Sequence, residues 1–310
     1  MDKIVIAGGS GFLGRCLVDY YKGRKELVIL SRKETKISGA RVVVWDGRCQ
    51  GEWASEFEGA KVVINLSGKS VDCRYTERNR ALIYSSRIDS TQAIGKAIHN
   101  CQKPPQVWIN SSSATIYRHS LYKPMDEEFD ELGSGFSVDV CQKWEEVFNS
   151  FELPNTRKII ARIAIVLGRN GGALQPLQRL AKFGLGGHQG PGNQMVSWLH
   201  QDDFTAMMDY LINNSHSGIF NLAAPNPVTN RVFMKAVRQA AGIKIGIPSP
   251  SWLLEIGARI IQTETELILK SRYVVPRKLE ELGYNFSFSA IDIALNDLLS
   301  TQDPNRYELS

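Results

Sequence analysis

Seven residues near the amino terminus, Gly8-Gly9-Ser10-Gly11-Phe12-Leu13-Gly14, constrain this chain more than any other feature. They follow a β-branched apolar run, Lys3–Ala7, and precede an amphipathic stretch, so the glycines stand between a strand and a helix. Gly8, Gly11 and Gly14 recur at every third position. Glycine lets the backbone turn sharply and come close to a ligand, while a helix start offers free N–H groups and the positive end of the dipole. Together these suit a pyrophosphate. A glycine turn without a ligand has the same composition, and only its place after the first strand of an α/β pattern makes the motif specific.

That pattern is present. Apolar runs at Lys3–Ala7, Leu27–Leu30, Arg41–Trp45, Lys61–Leu66, Val107–Asn110 and Lys158–Leu167 are continuous rather than alternating, which predicts strands covered on both faces. Helical stretches separate several of them. In one, Ala81, Tyr84, Ile88, Thr91 and Ile98 share a face, with Thr76 and Asn79 available as caps. The expectation is an α/β fold, a doubly wound parallel sheet with right-handed crossovers. The nucleotide-binding domain is placed at 1–167, with a later return to the sheet near 218–222. Glycine-rich substrate-side segments occupy 168–247, and a helical C-terminal domain occupies 248–300. The second half reads as a smaller lobe rather than an independent unit. Helices are expected near Asp203–Ile212, Thr229–Ala241 and Ile291–Leu299, with Asp202 as the cap of the first.

Composition excludes more than it selects. The 310 residues are 43% hydrophobic and 22% charged, as in an ordinary globule. Five cysteines, at 16, 49, 73, 101 and 141, form no C-x-x-C, so neither a zinc finger nor a disulfide framework is expected, and no metal site. The most apolar stretch, Trp252 to Leu269, is broken by Glu255, Arg259, Glu264 and Glu266, which predicts an amphipathic surface helix and no membrane span. With no signal peptide in view, cytoplasm is the expected compartment. The net charge of +5 is matched by one segment, Arg15 to Arg48, where nine Lys/Arg meet four Asp/Glu. A bound phosphate explains that segment without nucleic acid.

The second strand ends in Ser31-Arg32-Lys33. A site for NAD places a carboxylate here for the ribose hydroxyls, and none stands at the strand tip. A hydroxyl and two cations suit a 2′-phosphate, which Arg32 can grip with two donors. The expected cofactor is NADP.

Further motifs give the chain a family. The glycine loop, Asn65-Leu66-Ser67-Gly68 and Ser111-Ser112-Ser113-Ala114-Thr115-Ile116-Tyr117 resemble the extended short-chain dehydrogenases, the epimerase/dehydratase group. More narrowly, Ser86-Arg87, Lys143-Trp144-Glu145, the run Arg162 to Gly168, Gly184-Leu185-Gly186-Gly187, the run Trp198 to Asp203, and the run Val275 to Leu279 with Gly283-Tyr284 resemble the atypical epimerase-like subfamily that ends in a small helical domain. The likeness spans nearly the whole chain. It implies a Rossmann domain for NADP, contacted by the loop residues Gly8, Gly11, Phe12, Leu13 and Gly14, by Ser31 and Arg32, and by Leu66, Ser67, Arg87 and Val166. It also implies a small-molecule substrate between two lobes and a monomer or homodimer.

The same resemblance exposes a gap. The superfamily moves a proton with a Tyr, helped by a Lys four residues later and a Ser that polarises the same oxygen. Ser113 matches the serine. Counting back from Glu145 puts Ser137 at the Tyr position and Cys141 at the Lys position, and a one-residue shift gives Phe136 and Val140. Lys143 is about 200° away on the helix. Tyr117, Tyr122 and His200 are the substitute candidates, with Tyr117 and His200 carried forward as proton donors. Two functions follow: an NADP-dependent oxidoreductase or epimerase-like enzyme acting on a hydroxylated or sugar-nucleotide-like substrate, or a non-catalytic NADP-binding sensor or partner-binding protein.

Overall fold

In the computed structural model the described residues are 1–129, 131–252, 254, 255, 264 and 266–300. Seven strands form the main sheet: β1 (Lys3–Ala7), β2 (Glu26–Ser31), β3 (Arg41–Val44), β4 (Val62–Asn65), β5 (Val107–Ser113), β6 (Arg157–Ile163) and β11 (Gly218–Leu222). Their order is β11-β6-β5-β4-β1-β2-β3, and every pairing is parallel. The chain leaves β1 toward β2 on one side and later returns to β4 on the other. The strand order therefore reverses at β1, where a crevice opens beyond the carboxyl ends of the strands.

Period-two alternation sends each strand's side chains to two helical layers. Ile4, Ile6, Val62, Ile64, Val107 and Ile109 pack with Leu17 and Val18 of α1 (Phe12–Tyr21) and with Phe204, Met207 and Met208 of α5 (Gln201–Asn213). Val5, Ala7, Val63 and Trp108 face Ile94 and Ile98 of α2 (Glu77–His99) and Phe148 of α3 (Phe136–Asn149). Because both faces are buried, the strands had to be apolar throughout. Thr76 caps α2 by accepting from the Asn79 N–H at 3.3 Å. On that helix Thr91 and Ile98 are buried as expected, but Ala81 is exposed and Ile83 takes the inner position.

The run expected as one strand over Lys158–Leu167 is two. After Ile163 the chain changes partners: the Ala164 N–H bonds the Leu222 carbonyl at 3.0 Å and the Ile165 N–H the Ser197 carbonyl at 3.3 Å. β7 (Ile165–Gly168) then runs parallel to β10 (Trp198–His200) and antiparallel to β8 (Gly171–Gly172) in a separate small sheet. Composition cannot reveal such a switch when both strands are buried. β5 is also longer than its apolar part, because Ser111 and Ser112 find buried acceptors at the Asn65 carbonyl (2.7 Å) and Glu145 (2.5 Å).

The second lobe has its own core. Leu174 of α4 (Leu174–Leu180) and Trp198 pack with Phe233 and Val237 of α6 (Asn230–Ala240) and with Leu295 and Leu298 of α9 (Ile291–Leu299). β9 (Met195–Val196) pairs with β12 (Val228–Thr229) beneath them. Most of the helix expected over 252–269 lies outside the described residues; Glu266–Leu269 (α7) is helical, and α8 (Arg277–Glu281) follows. Among the described residues no helix is long and apolar enough to cross a membrane. The cap of α5 is His200, not Asp202: the imidazole Nδ1 accepts the Asp202 N–H at 3.0 Å.

Candidate functional site

A cleft of about 530 Å³ opens where β1, β4, β5 and β6 end. Its floor is the glycine loop. Gly8 has φ +74°, and a Cβ there would stand 2.9 Å from the Leu66 carbonyl and the Ser67 nitrogen. A Cβ on Gly14 would meet Gly9 Cα at 2.3 Å, so α1 can seat this close to the loop only without a side chain there. Gly11 caps α1 without a side-chain bond, and the first helical N–H to find a carbonyl is that of Arg15, on Gly11. The N–H groups of Phe12, Leu13 and Gly14 precede it and have no carbonyl within the helix. They form an anion cradle.

The opposite wall comes from β4. Asn65 is buried and donates to Asn110 (2.7 Å) and Thr91 (3.1 Å), while its own side-chain oxygen accepts the Ser67 N–H (3.0 Å). That turn presents Leu66 and Ser67 to the cleft, and the Ser67 hydroxyl is buried with no hydrogen-bond partner among the described residues. Arg87 reaches across from α2. Its guanidinium donates to the carbonyls of Lys69 (3.2 Å) and Ile83 (3.1 Å) and lies 5.2 Å over the Trp144 ring. Gly68 leaves room for it, since a Cβ there would be 3.0 Å from the guanidinium carbon. Burial pushes the Arg87 pKa down. Val166 closes the side formed by β7.

At the end of β2, Ser31 is buried with its hydroxyl 3.4 Å from that of Ser10, so it adjoins the glycine loop. Arg32 and Lys33 beside it are exposed and carry no ion pair among the described residues. These observations fit a dinucleotide: free N–H groups, an unpartnered buried hydroxyl and a close-approach glycine, with exposed cations at the neighbouring strand tip.

The predicted chemical residues divide. Ser113 lines the cleft, its Oγ 3.1 Å from Thr115 Oγ1 and accepting the Thr115 N–H at 3.2 Å. Tyr117 does not reach it. Its phenol is buried, donates to Asn221 (3.0 Å) and accepts from Arg162 (2.9 Å), whose guanidinium is clamped on Glu145 at 2.8 and 2.9 Å. Burial pushes the Tyr117 pKa up. For Arg162 burial acts downward, but Glu145 and Tyr117 outweigh it and hold the pKa above the usual value. Glu145, expected as the family's acidic residue, thus serves an internal ion pair.

His200 does not border the cleft either. It is fully buried, stacked on Phe288 at 3.7 Å, with Nε2 3.2 Å from Asp297 and Nδ1 spent on the α5 cap. Burial lowers its pKa. Its neighbour Asp203 accepts the Ser287 and Phe288 N–H groups and so ties α5 to the C-terminal lobe. Tyr122 is exposed, and Lys143 pairs with Asp139 on the outside of α3. Cys141 is buried on the cleft wall, its thiol pushed up to about 11 by that burial, which makes it a poor nucleophile.

Sequence reasoning missed Tyr75. It lines the cleft from the loop before α2, its hydroxyl 3.4 Å from Ser137 Oγ, at the position where the family tyrosine is lacking. Glu264 holds this loop by accepting the Tyr75 N–H at 2.7 Å. Tyr75 and Ser137 are sixty-two residues apart, and no local spacing connects them. Burial raises the Tyr75 pKa, so the phenol is protonated at neutral pH.

The comparisons with known proteins agree with this geometry. Residues 4–223 match the NAD dependent epimerase/dehydratase family, and 249–298 match a C-terminal domain of unknown function. An epimerase family protein of Staphylococcus aureus (strain bovine RF122 / ET3-1) is 31% identical over 97% of this chain and all of its own. The crystal structure of a human epimerase family protein, SDR39U1, with NADPH superposes with a TM-score of 0.85 at 28% identity, covering 97% of this chain and all of that one. A nucleoside-diphosphate sugar epimerase from Corynebacterium glutamicum gives a TM-score of 0.77 at 26% identity, over 99% of this chain and 60% of its own. With its parallel sheet, glycine loop and helical C-terminal region, the chain belongs to the NAD-dependent epimerase/dehydratase family.

Proposed function

We propose that this protein is an NADP-dependent oxidoreductase or epimerase-like enzyme acting on a hydroxyl-bearing small molecule in the cleft beside Ser113. The observation that carries the reading is the cleft itself: a glycine cradle at one end and the hydroxyls of Ser113, Thr115 and Tyr75 lining the other. Arg32 and Lys33 support the choice of NADP, since a 2′-phosphate would neutralise them. When bound, the cofactor supplies or accepts hydride at its nicotinamide ring. Gly8 to Gly14 bind its pyrophosphate, Leu66 and Ser67 border it, and Arg87 offers a cation to it. Ser113 polarises the reacting oxygen, and Tyr75, not Tyr117 or His200, holds the proton that passes to or from that oxygen.

A panel of hydroxylated metabolites and nucleotide sugars, followed at the absorbance of the reduced nicotinamide, tests this. Turnover with at least one compound is expected, falling about a hundredfold or more in Ser113→Ala and Tyr75→Phe while NADP affinity is kept. The absence of a Tyr/Lys pair at 137 and 141 favours a second reading, a non-catalytic NADP-binding protein. Tight NADP binding with no turnover across the panel is the result that selects it.

A further inference from the structure

A chain of polar side chains leads from the cleft wall to the outside of the molecule. Tyr75, from the loop before α2, and Ser137, in the first turn of α3, both line the cleft, with their hydroxyls 3.4 Å apart. Ser137 Oγ also donates to Glu266 Oε2 at 3.4 Å, at the start of α7. The other carboxylate oxygen, Glu266 Oε1, faces Lys270 Nζ at 3.7 Å. Glu266 and Lys270 border a second pocket of about 540 Å³, together with Arg118 and His119. The Glu266 side chain is 35% exposed, so its carboxylate meets solvent there.

The direction of these bonds follows from the groups themselves. A carboxylate only accepts, and a serine hydroxyl has one proton to give. Ser137 gives its proton to Glu266, so toward Tyr75 it is the acceptor and the phenol is the donor. The lone pairs of Tyr75 Oη are left for a hydroxyl in the cleft. Alone, the phenol could not take that hydroxyl's proton. Burial raises the Tyr75 pKa, and the fields of Glu266, Cys73 and Glu264 outlast the opposing bond from Ser137, so the phenol is protonated at neutral pH. Arg87 and Arg272 are the cations whose charge reaches the phenol, and Arg272 faces Glu266 as well. Cys141, not a lysine, stands where the family would place its amine.

We propose that Tyr75, Ser137 and Glu266 form a proton relay between the reacting oxygen in the cleft and solvent in the second pocket. The proposal rests on the reading of the cleft as an oxidoreductase site with Tyr75 beside the reacting oxygen, and adds where the proton goes. In oxidation, hydride leaves the substrate carbon for the nicotinamide of NADP, and the proton of the substrate hydroxyl passes to Tyr75 Oη. The phenol's own proton moves to Ser137 Oγ, and the Ser137 proton moves to Glu266 Oε2. The products are a carbonyl, NADPH and a protonated Glu266, which releases its proton to the second pocket. Reduction runs the same chain in reverse. The phenol never ionises on its own, so no neighbouring amine is required. Ser137 and Glu266 act through Tyr75 and do not touch the substrate.

The test is carbon-13 NMR of the full chain saturated with NADP and labelled at tyrosine Cζ. The Tyr75 signal is the one lost in Tyr75→Phe. Its shift should show an inflection at acid pH that follows Glu266, disappears in Glu266→Gln, and shrinks at least about twofold in Ser137→Ala, which removes the middle link. With any compound turned over, kcat for oxidation should fall about tenfold or more in Glu266→Gln and Ser137→Ala while KM changes less than about twofold. The acid limb of the wild-type kcat profile, where a protonated Glu266 cannot accept, should vanish in Glu266→Gln. Ser137→Thr keeps the hydroxyl and should recover most of what Ser137→Ala loses. If Glu266→Gln does not fold, the two Ser137 variants carry both arms. An inflection unchanged in Glu266→Gln or in Ser137→Ala, or kcat unchanged in both, overturns the relay alone. No turnover across the panel of compounds overturns the enzyme reading and the relay with it.

Discussion

Tyr117→Phe separates a structural phenol from a catalytic one. The hydroxyl accepts from Arg162 Nη1 at 2.9 Å and donates to Asn221 Oδ1 at 3.0 Å, and neither partner has water to fall back on, at 5% and 0% exposed. The substitution keeps the ring, so no cavity opens, but it strands one charged donor and one amide acceptor. A lost bond to a charged group costs about 1.5–3 kcal/mol and an orphaned neutral acceptor about 1–3 kcal/mol. The two share one network, so their sum is an upper bound, and Glu145 still pairs with Arg162. The expected loss is about 2–4 kcal/mol. Urea unfolding should show a lower midpoint with an unchanged slope, because the surface exposed on unfolding is the same. NADP affinity should stay within about twofold, since the phenol does not border the cleft. An unchanged midpoint accompanied by lost turnover would refute the reasoning and return Tyr117 to the chemistry.

Gly8→Ala should destabilise by about 2–3 kcal/mol in thermal unfolding and weaken NADP binding, because φ is +74° and the new Cβ meets backbone at 2.9 Å; equal NADP affinity in the variant would argue against the cradle. His200 gives a pH signature. Burial lowers its native pKa, so the unfolded chain takes up a proton near about pH 6.5 before the native chain does. Its contribution to stability is thus present above that pH and lost as pH falls through the lowered native value. In His200→Asn the urea midpoint should decline less steeply between about pH 6.5 and 5 than in the wild type; parallel declines would contradict a neutral buried imidazole.

What the sequence made legible was local. A glycine loop after a strand, a basic strand tip and a serine run at the end of β5 each announce themselves within a few residues, and Gly8, Gly11, Phe12, Leu13, Gly14, Ser67, Arg87 and Ser113 all line the cleft. The strands were legible because burial on both faces demands unbroken apolar runs. The same uniformity hid the break at Ala164, where the strand changes sheets without changing character. Tyr117 and His200 were attractive as polar rings near expected strand ends, yet their hydrogen-bonding atoms are consumed by Arg162, Asn221, Asp202 and Asp297, partners up to 104 residues away. Tyr75 was missed for the opposite reason. It reaches the site from a segment with no periodicity of its own, and only the folded chain brings it to Ser137.

The central claim is that the cleft at the β1 switch point takes NADP through the glycine loop and the Ser31-Arg32 strand tip. Calorimetric titration of the full chain with NADP and with NAD, on the wild type and on Arg32→Ala, tests it most directly. One NADP per chain is expected, bound more tightly than NAD, with Arg32→Ala losing about 1.5–3 kcal/mol toward NADP and little toward NAD. Tighter binding of NAD by the wild type, or equal losses for both cofactors in Arg32→Ala, would contradict it.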